Sequence, residues 1–290
     1  MKFLYTLIAF CCCIFFISSC NIINPSEPVP TYVRIDSFSF IGNSSLGTSS
    51  HKITAVYAYL DGQSLGVFDL PITIPVIMDK KSKLQLTPVI DYNGFGGVPY
   101  IYPFYTSYII DTLMPAPGKT LNILPTTGYN TGTIPALNID FENIIPFQPY
   151  TLGIDTPIMY VTDPSQVFEG SRSGIVYLTA DKDSSVNFSN QEFNAAALKE
   201  TFLEINYKST IPFTVGLFTI TPKDNATHSA YLAGFYPSSK WNKVYIDLKS
   251  FTSTYSGGKF TIVLRAIKEE EHRGKDGYVL FDNIKVVTFP

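Results

Sequence analysis

Apolar and polar residues alternate singly along most of this chain. Tyr32–Phe40 places Val33, Ile35 and Ser37 on one side and Arg34, Asp36 and Phe38 on the other. A period of two is the pattern of a half-buried strand. Further strands are predicted over 53–60, 64–70, 83–90 and 120–124. Asp61-Gly62 stands between the first two of these, and both residue types tolerate the positive φ of a tight hairpin. Pro71 and Pro75 place the intervening Ile72–Ile77 run on a sheet edge, because proline cannot donate to a ladder.

The second half opens with Leu137–Glu142 and continues with predicted strands at 158–161, 174–180, 200–209, 213–221, 230–236, 244–248, 259–267 and 278–289. Only Asn194–Lys199 tolerates a helix, as a single turn. The predicted fold class is all-β, with two β-sandwich domains and a turn-rich boundary near 115–135. With 20 Pro and 19 Gly, long uninterrupted helices are not expected.

Tyr92–Tyr108 breaks the alternation. Tyr92, Phe95, Tyr100, Tyr102, Phe104, Tyr105 and Tyr108 crowd into it with three glycines and two prolines. Two readings stand. The rings form an exposed binding surface for a partner or a sugar, with Tyr92, Phe95, Tyr100, Tyr102 and Tyr105 as its contacts. Or the segment folds back over its sandwich and the rings fill the core.

The first half, with its order of strand, Asp-Gly, strand, Leu-Pro, Ile-Pro-Val, strand, resembles small immunoglobulin-like or PEGA-like modules of envelope proteins, built from about seven strands. The second half resembles a jelly roll of the galactose-binding or carbohydrate-binding-module type. That resemblance rests on Asp140-Phe-Glu142, Phe168–Gly174, Trp241–Leu248 and Phe281-Asp-Asn-Ile-Lys-Val286. It implies that the first and last strands are neighbours and that Glu142 and Asp282 ligate a structural Ca²⁺, with carbonyls near Gly170–Ser173 completing the oxygen shell. The alternative is that both carboxylates cap turns or pair with lysines such as Lys285.

The N-terminus adds an address. Lys2 precedes an apolar run from Phe3 to Ile17, and Ile17-Ser-Ser-Cys20 has the spacing of a lipoprotein processing site. The run is shorter than a comfortable membrane span. The expected organisation is a signal peptide over 1–19, a lipidated tether over 20–31 anchored through Cys20, an N-terminal sandwich over 32–131 and a jelly roll over 132–290. Asn21 follows the cysteine in place of an inner-membrane retention aspartate, so an outer-membrane location is expected, with the leaflet open.

Charge and chemistry narrow the function. The formal net charge is −3 and no basic stripe exists, so nucleic acid is not an expected partner. The four cysteines are Cys11, Cys12, Cys13 and Cys20, which leaves only a lipidated one after processing. Gly170–Gly174 carries Arg172 where a nucleophile elbow needs serine. His51, His228 and His272 lack metal-ligand spacing and read as solvated surface residues; Trp241 reads as a core anchor. No catalytic residue and no required cofactor is assigned. The expected function is a non-catalytic envelope lipoprotein serving another envelope protein as an accessory subunit. The alternative is carbohydrate binding in a glycan uptake or adhesion system, marked by exposed rings flanked by polar side chains on the jelly roll.

Overall fold

The computed structural model describes residues 27–223 and 225–290. The protein is all-β and folds as two sandwiches. The first contains β1 (Thr31–Ile35), β2 (Ser39–Ile41), β3 (Ala55–Leu60), β4 (Gln63–Asp69), β5 (Ile72–Val76), β6 (Ser82–Asp91), β7 (Pro99–Ile101), β8 (Tyr108–Leu113), β9 (Thr120–Ile123) and β10 (Thr126–Gly128). A β5-β1-β9 sheet faces a β4-β3-β6-β7 sheet, to which β8 adds along β6. Val33, Ile35, Val56, Ala58, Ile74, Val76, Leu84 and Leu86 fill the space between them. Asp61 and Gly62 adopt φ 49° and 82° and close the two-residue turn between β3 and β4, where Leu60 pairs with Gln63. The proline-bearing β5 is an edge strand, as its missing donors require. The half has ten strands rather than about seven, because the Tyr92–Gly128 stretch adds short ones and β9 pairs with β1 in parallel.

The chain passes to the second sandwich between Gly128 and Ile134. This half holds β11 (Ile134–Ile139), β12 (Phe147–Pro149), β13 (Met159–Val161), β14 (Ser173–Leu178), β15 (Ser184–Phe193), β16 (Thr201–Ser209), β17 (Phe213–Ile220), β18 (Thr227–Phe235), β19 (Ser238–Asp247), α1 (Lys249–Thr254), β20 (Lys259–Ile267) and β21 (Gly277–Thr288). One sheet runs β13-β14-β21-β16-β19, with β11 on β21; the other runs β12-β15-β20-β17-β18. We call these the inner and outer sheets, because the first sandwich lies against the former. The core between them is rich in Phe, Ile, Leu and Val, among them Leu203, Ile205, Val215, Leu217, Ile262, Leu264 and Phe281.

Several elements differ from expectation. Asn194–Lys199 is not helical, and the short α1 is. Strand β15 was not predicted, because its pattern is inverted. Its core-facing Ser185, Asn187 and Ser189 are buried and satisfy backbone groups: Ser185 Oγ and Asn187 Nδ2 donate to Thr156 O, Asn187 Oδ1 accepts from Ile158 N, and Ser189 Oγ accepts from Ile262 N. Its apolar Val186 and Phe188 face outward, the reverse of an ordinary half-buried strand.

Candidate functional site

The tyrosine-rich segment after β6 does not form an outer surface. The inner sheet carries Phe202, Glu204 and Asn206 on β16, Lys243, Tyr245 and Asp247 on β19, and Lys285 and Val287 on β21, all pointing away from its own core. Such a face reads as solvent-exposed, yet the first sandwich covers it. Ile90, Tyr102, Phe104 and Tyr105 pack there with Phe202, Tyr245 and Val287 as a third core, shared by both halves. Gly94, at φ +75°, lets the backbone approach: a Cβ there would stand 2.7 Å from Phe235 and 3.1 Å from Val244.

Glu204 is fully buried at the centre of this seam. Its Oε1 accepts from the Tyr102 hydroxyl at 2.8 Å and the Tyr129 hydroxyl at 3.0 Å. Its Oε2 lies 2.7 Å from Lys243 Nζ and 3.7 Å from Lys285 Nζ. Lys285 also donates to the Leu46 carbonyl at 2.9 Å and to the Tyr129 hydroxyl at 2.6 Å. Burial alone raises the Glu204 carboxyl, but Lys243 and Lys285 outweigh it and hold it at about 2. Burial takes the Lys285 ammonium down to about 8 against the pull of Glu204. Burial, then the Glu204 charge, pushes the Tyr102 and Tyr129 hydroxyls well above their ordinary range.

The predicted binding rings are thereby relocated. Tyr102 and Tyr105 are 1% and 3% exposed and have no face left for a partner or a sugar. Tyr105 shares a hydroxyl–hydroxyl hydrogen bond with Tyr245 at 3.1 Å. Tyr92 donates to Asp247 at 2.7 Å, and burial, then Asp247, raises its hydroxyl to about 12. Tyr100 stacks over Phe202. Only Phe95 of the five is exposed. Sequence cannot show this, because Tyr102 and Glu204 lie 102 positions apart.

Glu142 and Asp282 flank the loop before β14, but the groups facing them are hydrogen-bond donors. Glu142 accepts from Ser171 N, Ser171 Oγ and Arg172 N; Asp282 accepts from Glu169 N, Ser173 Oγ and Asn283 N. Both carboxylates clamp the loop through its N–H and O–H donors. Cys20 and the expected signal peptide over 1–19 lie outside the described residues. His51 packs flat against Phe40 at 5.4 Å, and burial lowers its pKa, so it is no solvated side chain. Trp241 is half-buried against Phe168.

A different surface carries concave chemistry. The outward side chains of the outer sheet form a trough of about 360 Å³ lined by Tyr150, Val186, Phe188, Phe218, Tyr231 and Val263 among others. Tyr150, just past β12, packs on Phe188 at 5.1 Å, and Phe188 on Phe218 at 5.4 Å, giving a row of three rings across the strands. Across the trough stands Tyr231 of β18. The pairing of β17 with β18 slips between Val215 and Gly216, so Tyr231 sits opposite Gly216. That extra residue turns Tyr231 from the core side to the outer side. Its ring takes the space beside Gly216, where a Cβ would meet Tyr231 Cδ1 at 3.1 Å and the Ala230 carbonyl at 2.5 Å. Tyr150 and Tyr231 remain 67% and 52% exposed, enough for a ligand to rest on both. Arg265 flanks the trough with its guanidinium carbon 5.7 Å from the Tyr231 ring centre. None of these residues was singled out by the sequence. The signal that could have found them is the Val186/Phe188 alternation against Ser185, Asn187 and Ser189.

No family model matches the chain, and no curated protein does. Among solved structures it is similar to the CBM22-1–GH10 modules of a Clostridium thermocellum endo-1,4-β-D-xylanase complexed with xylohexaose, at 14% identity and TM-score 0.41, over 53% of this chain and 28% of that one. It is similar to the CBM22-2 xylan-binding domain of a Paenibacillus barcinonensis protein, at 12% identity and TM-score 0.39, over 53% of this chain and 99% of that one. A family 11 carbohydrate-binding module of Clostridium thermocellum, in complex with a β-1,3-1,4-mixed-linked tetrasaccharide, matches at 15% identity and TM-score 0.37, over 54% of this chain and 96% of that one.

Proposed function

We propose that this protein is a non-catalytic carbohydrate-binding protein of a bacterial cell envelope, tethered through a lipid on Cys20 and holding a glycan in the trough of its outer sheet. One observation supports the reading above the rest: β15 turns its apolar residues outward. Exposed rings in rows cost solvation, and a ligand that covers them recovers it. A sugar ring suits such rings, since its C–H face rests on an aromatic plane while its hydroxyls reach polar groups at the rim. Thr227, Ser229 and the two tyrosine hydroxyls supply that rim. The trough lining holds no carboxylate or histidine, so it binds without a general acid or base. The accessory-subunit reading loses part of its surface, because Tyr102 and Tyr105, expected to meet a partner, are buried inside the chain.

The test is affinity electrophoresis and calorimetry against a panel of soluble plant and microbial polysaccharides. Retardation by at least one glycan, lost in Phe188→Ala and in Tyr231→Ala with unchanged melting temperatures, is the expected result. Binding that survives both substitutions would place the glycan site elsewhere, and no binding across the panel would end this reading.

A further inference from the structure

We propose that the glycan is acidic and that Arg265 reads its carboxylate; this rests on the trough being the glycan site. Arg265 lies on β20 between Leu264 and Ala266, both in the sandwich core, so its side chain faces outward beside the trough. Across the strands it pairs with Val186 on one side and Thr214 on the other, so neither neighbour offers a counter-charge. Among the described residues its guanidinium makes no ion pair and no hydrogen bond within the protein; its recorded contact is the Tyr231 ring.

The nearby acids are committed elsewhere. Asp155 accepts from Val186 N and Thr151 N. Glu192 pairs with Lys259, and Asp183 with Arg273. The trough is therefore apolar along its floor, free of carboxylates, and positive at one point. The Tyr231 ring holds that point in place, so less side-chain freedom is lost when it is used. A guanidinium offers five donors in a flat fork, and a carboxylate accepts two of them side by side. A uronate places such a carboxylate on a ring whose C–H face can rest on tyrosine. The chain as a whole carries a formal charge of −3, so its long-range field does not attract an acidic polymer. Recognition then depends on the single fork.

The experiment measures binding of the full chain to oligogalacturonate and oligoglucuronate, to their carboxyl-reduced counterparts, and to neutral xylo- and mixed-linked gluco-oligosaccharides. A uronate should bind at least tenfold more tightly than its reduced counterpart, and added salt should weaken it. Arg265→Gln should cost the uronate about tenfold or more, the range of a charge-assisted hydrogen bond, and cost neutral oligosaccharides several-fold less. Arg265→Lys, which keeps the charge but not the fork, should fall between. If Arg265→Gln melts early, the wild-type salt dependence decides: uronate affinity must fall with salt while neutral affinity stays flat. Neutral glycans that bind as tightly as uronates, with loss on Tyr231→Ala but none on Arg265→Gln, would overturn the acidic reading and leave the glycan site standing. Failure of every oligosaccharide to bind would overturn both.

Discussion

Replacing Glu204 by Gln tests the seam between the two sandwiches. The substitution keeps size and shape but removes the negative charge that pairs with two buried ammonium groups. Lys243 and Lys285 would remain 3% and 0% exposed, with their counter-ion gone. Breaking a buried pair by removing one partner costs about 3–5 kcal/mol, because the charge left behind stays desolvated. Linkage gives a figure of the same size. The folded carboxyl titrates at about 2 against an ordinary 4.5, a difference of roughly 3 kcal/mol. Since the folded pKa is the lower one, that stability is complete above about pH 4.5 and is lost as pH falls toward 2. Lys285 carries the same sign at higher pH: its folded pKa is depressed to about 8 from 10.5, so stability rises again as pH climbs through that interval. Urea unfolding at neutral pH, with matching m-values, should show the loss, and the acid limb of the Gln variant should be flatter than that of wild type. The combined replacement Glu204→Leu, Lys243→Met, Lys285→Met, with Tyr102→Phe and Tyr129→Phe so that no buried hydroxyl is left unpaired, should recover most of it. A Gln variant within about 1 kcal/mol of wild type, well below the range for a broken buried pair, would mean that water or motion already satisfies the cluster.

Three further outcomes are expected. A fragment covering 133–290 should bind a hydrophobic dye and aggregate, because Phe202, Tyr245 and Val287, each at most 1% exposed in the whole chain, would face water; a soluble fragment melting in one sharp step would show that the seam adds nothing to the jelly roll. Gly94→Ala should cost about 1–3 kcal/mol by overpacking, since its Cβ would lie 2.7 Å from Phe235, and calorimetry of the full chain would detect it. Melting in a chelator and in millimolar Ca²⁺ should coincide, because amides already face Glu142 and Asp282; a rise of several degrees with Ca²⁺ would show that the loop turns its carbonyls inward when the ion is present.

Much of the fold is readable from alternation. Strands β16, β17, β20 and β21 follow it to within a residue or two, since their inward positions are aliphatic or aromatic and turns bound them. Strand β15 escapes because Ser185, Asn187 and Ser189 serve buried backbone groups, so polarity marks its inside. Tyr231 escapes for another reason. Its outward direction depends on a slipped pairing with β17, which leaves no mark on local hydrophobicity. The density of rings in Tyr92–Tyr108 is visible at once, but their destination depends on Glu204, Lys243 and Lys285, which arrive from distant strands. In isolation Lys243-Val-Tyr-Ile-Asp247 reads as half-solvated, and only the first sandwich makes its polar half interior.

The Glu204 cluster also bears on how this sequence can change over time. Tyr102 and Tyr129 belong to one sandwich, Glu204, Lys243 and Lys285 to the other, and each completes the other's hydrogen bonding. A substitution on either side alone leaves a buried charge or hydroxyl without its complement, so the tolerated replacements come in pairs across the seam. Among relatives of this chain, positions 102 and 129 should therefore covary with 204, 243 and 285, while the trough positions 150, 188, 218 and 231 should vary independently of them. Grafting the jelly roll onto another protein without its companion would export an unpaired ionic surface, so the seam favours inheritance of the two halves as one unit.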